Sequence, residues 1–176
     1  SELNDFIDWL KRTARTSEMD MVLTAPPPLW EPFPGPQTKA LMSEADETFY
    51  GGAAGGGKTD LLLGLAATQH WRSAIFRRTF PQTRAIIERS RELYNRQGLS
   101  HLKDSYNESL HVWRLADGRM VEFQACQHEK DKTAQQGRPR DLLAFDELPE
   151  FNESVYRFVI GWNRSTRPGP RCRVDS

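Results

Sequence analysis

The sequence predicts an α/β domain with a mainly parallel central sheet flanked by helices. From Thr48 onward, short apolar and aromatic runs alternate with longer amphipathic segments, which is the order expected of a chain that passes from strand to helix to strand. The 176 residues are 38% hydrophobic and 27% charged, values typical of a globular chain rather than a disordered or collagen-like one. No apolar run approaches the roughly 18 residues that a membrane-spanning helix needs, so no membrane partner is expected.

Residues 1–29 are expected to form an appendage ahead of the domain, which is assigned to residues 30–176. Apolar residues recur at helical spacing in 2–12, which predicts a short amphipathic N-terminal helix. Six of the eleven prolines lie between Pro26 and Pro36. Proline fixes the backbone and removes a donor, so this proline-rich arm is predicted to be extended.

The elements of the domain follow from local patterns. The predicted helices cover residues 37–46, 58–71, 82–97 and 154–163. The predicted strands cover residues 48–50, 74–76, 142–145 and 171–174. Asp117-Gly118 predicts a hairpin between 110–115 and 120–123, because this dipeptide favours a tight turn between strands. The polar stretch 126–139 is predicted to be a loop.

Charge is unevenly distributed along the chain. Residues 1–60 hold five Lys/Arg and ten Asp/Glu, whereas residues 71–100 hold seven Arg and two Glu. The net charge of zero excludes a generally basic nucleic-acid coat but not a local basic face. Arginine, which outnumbers lysine 18 to 6, suits bidentate phosphate or carboxylate contacts, although surface ion pairs are the plainer interpretation. Cys126 and Cys172 form no disulfide framework, which indicates a reducing compartment.

A glycine-rich segment carries the strongest chemical signal, because it satisfies the pattern G-x-x-x-x-G-K-[ST] in full. Its residues are Gly52, Ala53, Ala54, Gly55, Gly56, Gly57, Lys58 and Thr59. Glycines let backbone N–H groups close around a phosphate, and the helix that follows adds its positive end. Lys58 is expected to reach the β- and γ-phosphates of ATP, and the Thr59 hydroxyl to hold Mg²⁺. The alternative is a flexible glycine turn.

An acidic pair follows the apolar run 142–145. Asp146 is expected at the carboxyl end of the strand, beside the glycine loop, where it anchors the metal. Glu147 is predicted to be the catalytic base, because the attacking water must lose a proton. Alone, the pair is compatible with an ordinary strand end. Together with a complete phosphate loop it predicts a P-loop NTPase of the RecA-like (ASCE) kind.

Three segments together resemble the large subunits of tailed-phage terminases. They are residues 50–59 (YGGAAGGGKT), 76–84 (FRRTFPQTR) and 136–147 (QGRPRDLLAFDE), and the earlier PGPQ of residues 34–37 is similar to the segment ahead of the P-loop in that family. The resemblance runs from about Trp30 to the C-terminus. It implies an ATPase motor that pumps double-stranded DNA into a preformed capsid.

The same resemblance implies the motor's surroundings. The expected partners are double-stranded DNA, the capsid portal, the small terminase subunit and further copies of the subunit in a homo-oligomeric ring, in the cytoplasm of a host bacterium. The family's nuclease domain has no room in 176 residues, and its coupling motif would begin near Ser176. The chain is therefore expected to be an ATPase half without its last strands and without endonuclease activity.

The resemblance also implies a site for the base. Gln37 matches the family's adenine-reading glutamine, and a side-chain amide can pair with both the donor and the acceptor of adenine. The alternative is a residue at a helix N-terminus with no ligand. Trp30 is the tryptophan that we expect to lie against the base, whereas the others are expected in the core or the arm.

Several arginines are candidates for phosphate contacts. ATP hydrolysis needs positive charge on the transition state, often from a neighbouring subunit. The loop itself holds no arginine, so Arg138 is the candidate for a finger acting in trans and Arg140 is the alternative. Arg77 and Arg78 end a predicted strand, where they would sense phosphate or touch DNA. A structural pairing with Asp146 or Glu147 is the competing interpretation.

Two other classes of enzyme share these motifs. A P-loop kinase, or phosphotransferase, would pass the γ-phosphate to a small substrate, but such enzymes seldom place a glutamate directly after the metal-anchoring aspartate, because activating water wastes ATP. A kinase also needs an arginine-rich lid, to be sought in residues 126–140. A RecA-like helicase would share Lys58, Asp146 and Glu147. Cys126 and His128 lack the second ligand pair of a zinc site.

Overall fold

The computed structural model describes residues 5, 8, 9, 12, 13, 29–52, 55, 57–95, 106–165 and 173–175. Its strands are β1 (Glu47–Thr48), β2 (Arg72–Arg77), β3 (Tyr106–Asn107), β4 (Val112–Arg114), β5 (Met120–Ala125), β6 (Leu142–Phe145) and β7 (Arg173–Asp175). Its α-helices are α1 (Pro36–Leu41), α2 (Lys58–Thr68), α3 (Thr83–Asn95) and α4 (Glu153–Ile160), and two 3₁₀ helices cover Glu129–Gln135 and Leu148–Glu150. Of the predicted N-terminal helix, the described residues 5, 8, 9 and 12 are helical, and the rest lies outside the described residues, as do prolines 26–28 of the arm.

The seven strands form one sheet in the order β1–β7–β6–β2–β5–β4–β3. The first five strands in this order run parallel, and β4 and β3 are added antiparallel at one edge. This confirms the predicted α/β class with a mainly parallel sheet. Because all parallel strands end at the same edge of the sheet, the loops after β1, β2 and β6 lie along one side, where α/β folds place their ligands.

Helices cover both faces of the sheet, which explains why strand β6 is apolar throughout. All four residues of β6 are buried. Successive side chains of β2 point to opposite faces. Ile75 packs in the core cluster that contains α2 and α3 residues, whereas Ala74 and Phe76 pack in the cluster that contains Val155 and Val159 of α4.

Some predicted boundaries are wrong for local reasons. Helix α1 ends at Leu41 instead of continuing to residue 46, and the Ser43 hydroxyl accepts a hydrogen bond from the Ala45 amide at 3.3 Å, an alternative to helix that serine offers the backbone. The stretch 126–139 is not all loop, because a 3₁₀ helix occupies Glu129–Gln135. Its first turn is held by Asp131, whose carboxylate accepts the amides of residues 127 and 128 at 3.0 and 2.8 Å.

The hairpin is confirmed, and it carries an extra strand that local patterns did not predict. Strands β4 and β5 pair antiparallel, and Gly118 adopts a φ of +91° in the turn between them. Strand β3 adds to β4 through Tyr106, whose ring lies 5.0 Å from that of Trp113. Among the residues that the structure describes, no helix is long and apolar enough to cross a membrane.

Candidate nucleotide-binding site

The glycine loop connects β1 to α2, as the motif requires. Gly57 caps α2 in the left-handed conformation, with a φ of +71°, and its carbonyl accepts the Leu61 amide at 3.0 Å. A side chain would be strained there. Lys58 is the first residue of α2 and Thr59 the second, so both project from the positive end of the helix. Three predicted loop residues, Ala53, Ala54 and Gly56, lie outside the described residues.

The structure brings the loop lysine, the loop threonine and the acidic strand together. Lys58 Nζ donates to the Gly52 carbonyl at 3.0 Å, so the side chain folds back over its own loop. Thr59 Oγ1 lies 3.4 Å from Asp146 Oδ2, although 87 positions separate the two residues in sequence. Both are oxygen donors of the kind that Mg²⁺ prefers, and they converge at the mouth of the loop, so the donor set fits this metal.

Asp146 is buried, with 3% of its surface exposed, and its charge is met by Arg77. The Arg77 guanidinium reaches Asp146 Oδ2 through Nε at 2.8 Å and Nη2 at 2.6 Å. The register explains the pairing, because Phe76 of β2 is opposite Phe145 of β6 and the next residues follow side by side. For Arg77, the structure shows the pairing with Asp146 that was the alternative to a phosphate or DNA contact. Arg78 instead donates a hydrogen bond to the carbonyl of Glu150.

Glu147 lies beside this cluster in a conformation that is uncommon for a residue with a side chain. Its φ and ψ are 64° and 56°, the left-handed region, and it begins the 3₁₀ helix Leu148–Glu150. Such strain collects at functional sites. Glu147 is exposed and lines a cavity of about 400 Å³ together with Gly52, Lys58 and Asp146. The turn after β6 thus places the Glu147 carboxylate in the same cavity as Lys58.

Gln37 adjoins the loop, but its amide is engaged within the chain. The side chain is buried, its Oε1 accepts the Phe33 amide at 2.8 Å, and its Nε2 donates to the Gly57 carbonyl at 2.8 Å. A Cβ atom added to Gly57 would lie 2.3 Å from Gln37 Nε2. Adenine reading stays a prediction, since these two bonds use one acceptor site of Oε1 and one N–H of Nε2 and leave one of each.

Trp30 does not line the cavity. Its indole ring packs across Gly64 in the middle of α2, where an added Cβ would lie 2.1 Å from ring atom Cδ2. The aromatic residues that line the cavity beside the loop are Phe49 and Tyr50. Phe33 is also near the loop: it is 66% exposed, and its ring would lie 3.9 Å from a Cβ on Gly57. Sequence reasoning did not single out Phe33, although this residue directly precedes the PGPQ segment of residues 34–37.

Arg138 and Arg140 are not brought to the phosphate loop. Both arginines precede β6, whereas Asp146 follows it, so they lie at the amino edge of the sheet. At the rise of an extended chain this edge is about 20 Å from Asp146. Both pair with Glu122, at 3.1 Å from Arg138 Nη2 and 2.6 Å from Arg140 Nη2. The Arg140 side chain is only 4% exposed, and burial lowers its pKa, whereas that of Arg138 is 41% exposed.

Two further titratable groups lie away from the site. Burial, helped by the nearby carboxylates of Asp131 and Glu129, raises the pKa of the Cys126 thiol to about 11, so this sulfur stays protonated at neutral pH. Burial also lowers the pKa of His70 to about 4, although Asp141 opposes the shift. Within the described parts of the chain, no group of three or more His, Cys, Asp and Glu side chains is arranged to hold a metal ion.

The sheet order and the flanking helices give the chain an α/β fold of the P-loop, RecA-like kind. Among solved structures, its fold is similar to the large terminase ATPase domain of Thermus phage P74-26, with a TM-score of 0.54 and 17% sequence identity over 84% of this chain. An arginine-to-alanine mutant of that domain matches equally, and this chain spans 65% of the length of either. No family model matches the sequence, and no curated protein is significantly similar to it.

Proposed function

We propose that the chain is the ATP-binding and ATP-hydrolysing motor domain of a phage terminase large subunit, which powers the movement of double-stranded DNA into a capsid. One observation carries the proposal. Lys58, Thr59 and Asp146 converge at the carboxyl edge of the sheet, beside a cavity that Glu147 also lines. The likeness in fold to a terminase ATPase domain supports the same assignment.

Each group has a distinct task in this proposal. The N-terminus of α2 and the Lys58 ammonium bind the phosphates, because both offer donors and positive charge. Thr59 and Asp146 hold Mg²⁺, which neutralises charge on the phosphates when it is bound. Glu147 accepts the proton of the attacking water, and its exposed carboxylate has the access that this requires.

The base is proposed to lie near Gln37 and Phe33. Both are adjacent to Gly57, so a nucleotide whose phosphates occupy the loop would extend its base toward them. The exposed Phe33 ring offers a flat apolar surface for the base. Gln37 would contribute the edge contact to adenine through the second acceptor site of Oε1 and the second N–H of Nε2.

Arg138 is proposed to complete the charge clamp from a neighbouring subunit. It is the more exposed of the two candidates, whereas Arg140 is buried against Glu122, the carboxylate with which Arg138 also pairs. The proposed assembly is a homo-oligomeric ring. A mixture of Lys58→Ala and Arg138→Ala full-length subunits should then regain turnover, since each copy supplies what the other lacks. Arg140→Ala subunits keep Arg138, so as the control they should turn over ATP without being mixed.

The remaining context is proposed on the same basis. The domain would span residues 30–176, with residues 1–29 as an N-terminal helix and arm. Its partners would be double-stranded DNA, the capsid portal and the small terminase subunit, in the cytoplasm of the host bacterium. These partners follow from the terminase assignment.

The assignment is tested first by ATP binding. Lys58→Ala removes a charge-assisted hydrogen bond to the phosphates, and such bonds contribute about 1.5–3 kcal/mol, so calorimetry should show ATP affinity lowered by roughly 10- to 150-fold. The matched control is Lys39→Ala, which removes an exposed lysine from the end of α1. An ATP affinity unchanged by Lys58→Ala would refute a phosphate-binding role for the loop.

Product analysis then separates a motor from a kinase. The intact subunit should release free phosphate from ATP with no added acceptor, because in this proposal Glu147, which lines the cavity, accepts a proton from water. Phosphate that appears only on an added small molecule, with no free phosphate in its absence, would replace the motor by a phosphotransferase. ATP hydrolysis that depends on single-stranded nucleic acid and on no capsid component would favour a helicase.

A further inference from the structure

The contact between Arg77 and Asp146 has the geometry of an ion pair that occupies a metal site. Arg77 ends β2, Asp146 follows β6, and the Asp146 amide donates to the Phe76 carbonyl at 2.9 Å, so the two backbones are locked side by side. The Arg77 guanidinium contacts the carboxylate twice, at 2.8 and 2.6 Å. The pair is therefore set by the sheet itself and not by a flexible surface side chain.

All the donors converge on a single oxygen. Asp146 Oδ2 receives both Arg77 nitrogens, and Thr59 Oγ1 also lies 3.4 Å from it. Thr59 and Asp146 are the two side chains proposed above to hold Mg²⁺. The guanidinium therefore lies against the very oxygen that faces the metal-binding hydroxyl.

Electrostatics explain why a cation is needed there before any metal binds. Asp146 is 3% exposed, and a buried carboxylate without a partner is strongly destabilising. Among the residues that the structure describes, Arg77 forms the one ion pair with this carboxylate. A divalent cation that approached Asp146 Oδ2 would meet the positive charge of Arg77 at contact distance, and the two cations would repel each other.

We propose that Arg77 is a positioning residue that keeps cations out of the metal site until a nucleotide binds. In the nucleotide-free chain it neutralises Asp146 and weakens metal binding. A bound triphosphate offers the guanidinium a second anionic partner, so Arg77 turns from Asp146 to the phosphates and Mg²⁺ takes its place. Metal and nucleotide consequently bind with positive cooperativity. This inference rests on the proposed function, because it assumes that a nucleotide occupies the loop.

The test measures metal affinity without any turnover. Mn²⁺ replaces Mg²⁺ as the probe, and its binding to the full chain is followed by electron paramagnetic resonance, with and without a non-hydrolysable ATP analogue. In the wild-type chain, the analogue should tighten Mn²⁺ binding beyond the affinity of the analogue itself for the metal. Coupling between sites typically amounts to about 5- to 150-fold.

The Arg77→Gln variant supplies the decisive comparison, because glutamine keeps a hydrogen-bond donor but loses the charge. Mn²⁺ should bind the nucleotide-free variant at least about tenfold more tightly than wild type, and the coupling to nucleotide should shrink. Arg77→Lys keeps the charge and should stay close to wild type. Arg78→Gln, one residue further on, removes a contact to the Glu150 carbonyl and should leave metal affinity unchanged.

Two results would overturn the inference. One is a nucleotide-free Arg77→Gln chain that binds Mn²⁺ no better than wild type while its thermal unfolding shows that it is folded. The other, which needs no variant, is wild-type chain that binds Mn²⁺ equally well with and without the analogue. Either result would leave the phosphate loop intact as long as Lys58→Ala still weakens ATP binding, so failure here is distinct from failure of the proposed function.

Discussion

The tie between Gln37 and the phosphate loop can be tested by a single truncation. Gln37→Ala deletes two hydrogen bonds of 2.8 Å, one from the Phe33 amide and one to the Gly57 carbonyl. Each contributes about 1 kcal/mol net. The groups left behind are only partly buried, so water compensates some of the loss, and we expect the free energy of unfolding to fall by about 2 kcal/mol. For a chain of this size that lowers Tm by about 4–8 °C.

The same truncation should weaken nucleotide binding and reduce the preference for adenine. The Gln37 amide fills the space next to Gly57, where an added Cβ would lie 2.3 Å from its nitrogen. Without it, Gly57 and the start of α2 lose a fixed position, and the phosphates lose a preorganised cradle. We expect the affinity for GTP to fall by about five- to tenfold, which corresponds to about 1 kcal/mol, and the affinity for ATP to fall further because the proposed adenine contact is lost as well.

Calorimetry with ATP and GTP, alongside thermal unfolding, measures both effects. The matched control is Thr38→Ala in the same helical turn, which removes one exposed hydrogen bond of 3.0 Å to the Phe33 carbonyl and should change stability by less than about 0.5 kcal/mol. If Gln37→Ala is as mild as this control, the tie to the loop contributes nothing. If ATP affinity falls and GTP affinity does not, the amide reads adenine and the reasoning about loop position is refuted.

Three further outcomes are expected. Glu147→Gln in the intact subunit should keep ATP binding but lower phosphate release by orders of magnitude, since the amide cannot accept a proton; normal hydrolysis would place the base elsewhere. Gly64→Val should lower the free energy of unfolding by about 2 kcal/mol or more, because the Trp30 ring occupies the added volume; unchanged denaturant unfolding would contradict that packing. Burial lowers the pKa of His70 to about 4, whereas in the unfolded chain this side chain takes up a proton below about pH 6.5. The free energy of unfolding should therefore fall as the pH drops from about 6.5 to 4, by at most about 1.4 kcal/mol per pH unit. Thermal unfolding measured across this pH range should show a flatter dependence for His70→Gln.

The fold was predictable wherever a local pattern is strong. Four consecutive apolar residues predict β6, and Asp117-Gly118 predicts the hairpin that the structure confirms. Strand β3 escaped prediction because two residues carry too little pattern, and it forms only because β4 offers an open edge and Tyr106 packs against Trp113. Its existence depends on tertiary contacts that no local window contains.

The site divides in the same way. Lys58, Thr59 and Asp146 could be placed together from sequence, because a phosphate loop follows one parallel strand and the acidic pair follows another, and such strands end at one edge. Arg77 could not be assigned to a single partner, since its contact depends on β2 being the direct neighbour of β6 with Phe76 opposite Phe145. Strand order and register are global properties, so the sequence left a phosphate contact and a carboxylate contact equally open.

The position of Arg138 follows from strand direction once β6 is fixed. A residue that precedes a parallel strand lies at its amino edge, and the phosphate loop lies at the opposite, carboxyl edge, about 20 Å away. An arginine side chain spans about a third of that distance, so Arg138 cannot reach a phosphate bound to its own copy without a change of fold. Its guanidinium is 41% exposed and pairs with Glu122, and it lines a cavity that contains no residue of the phosphate loop. A role for Arg138 in hydrolysis therefore requires a second copy to present its loop to that edge, and the requirement for assembly comes from the sheet geometry alone.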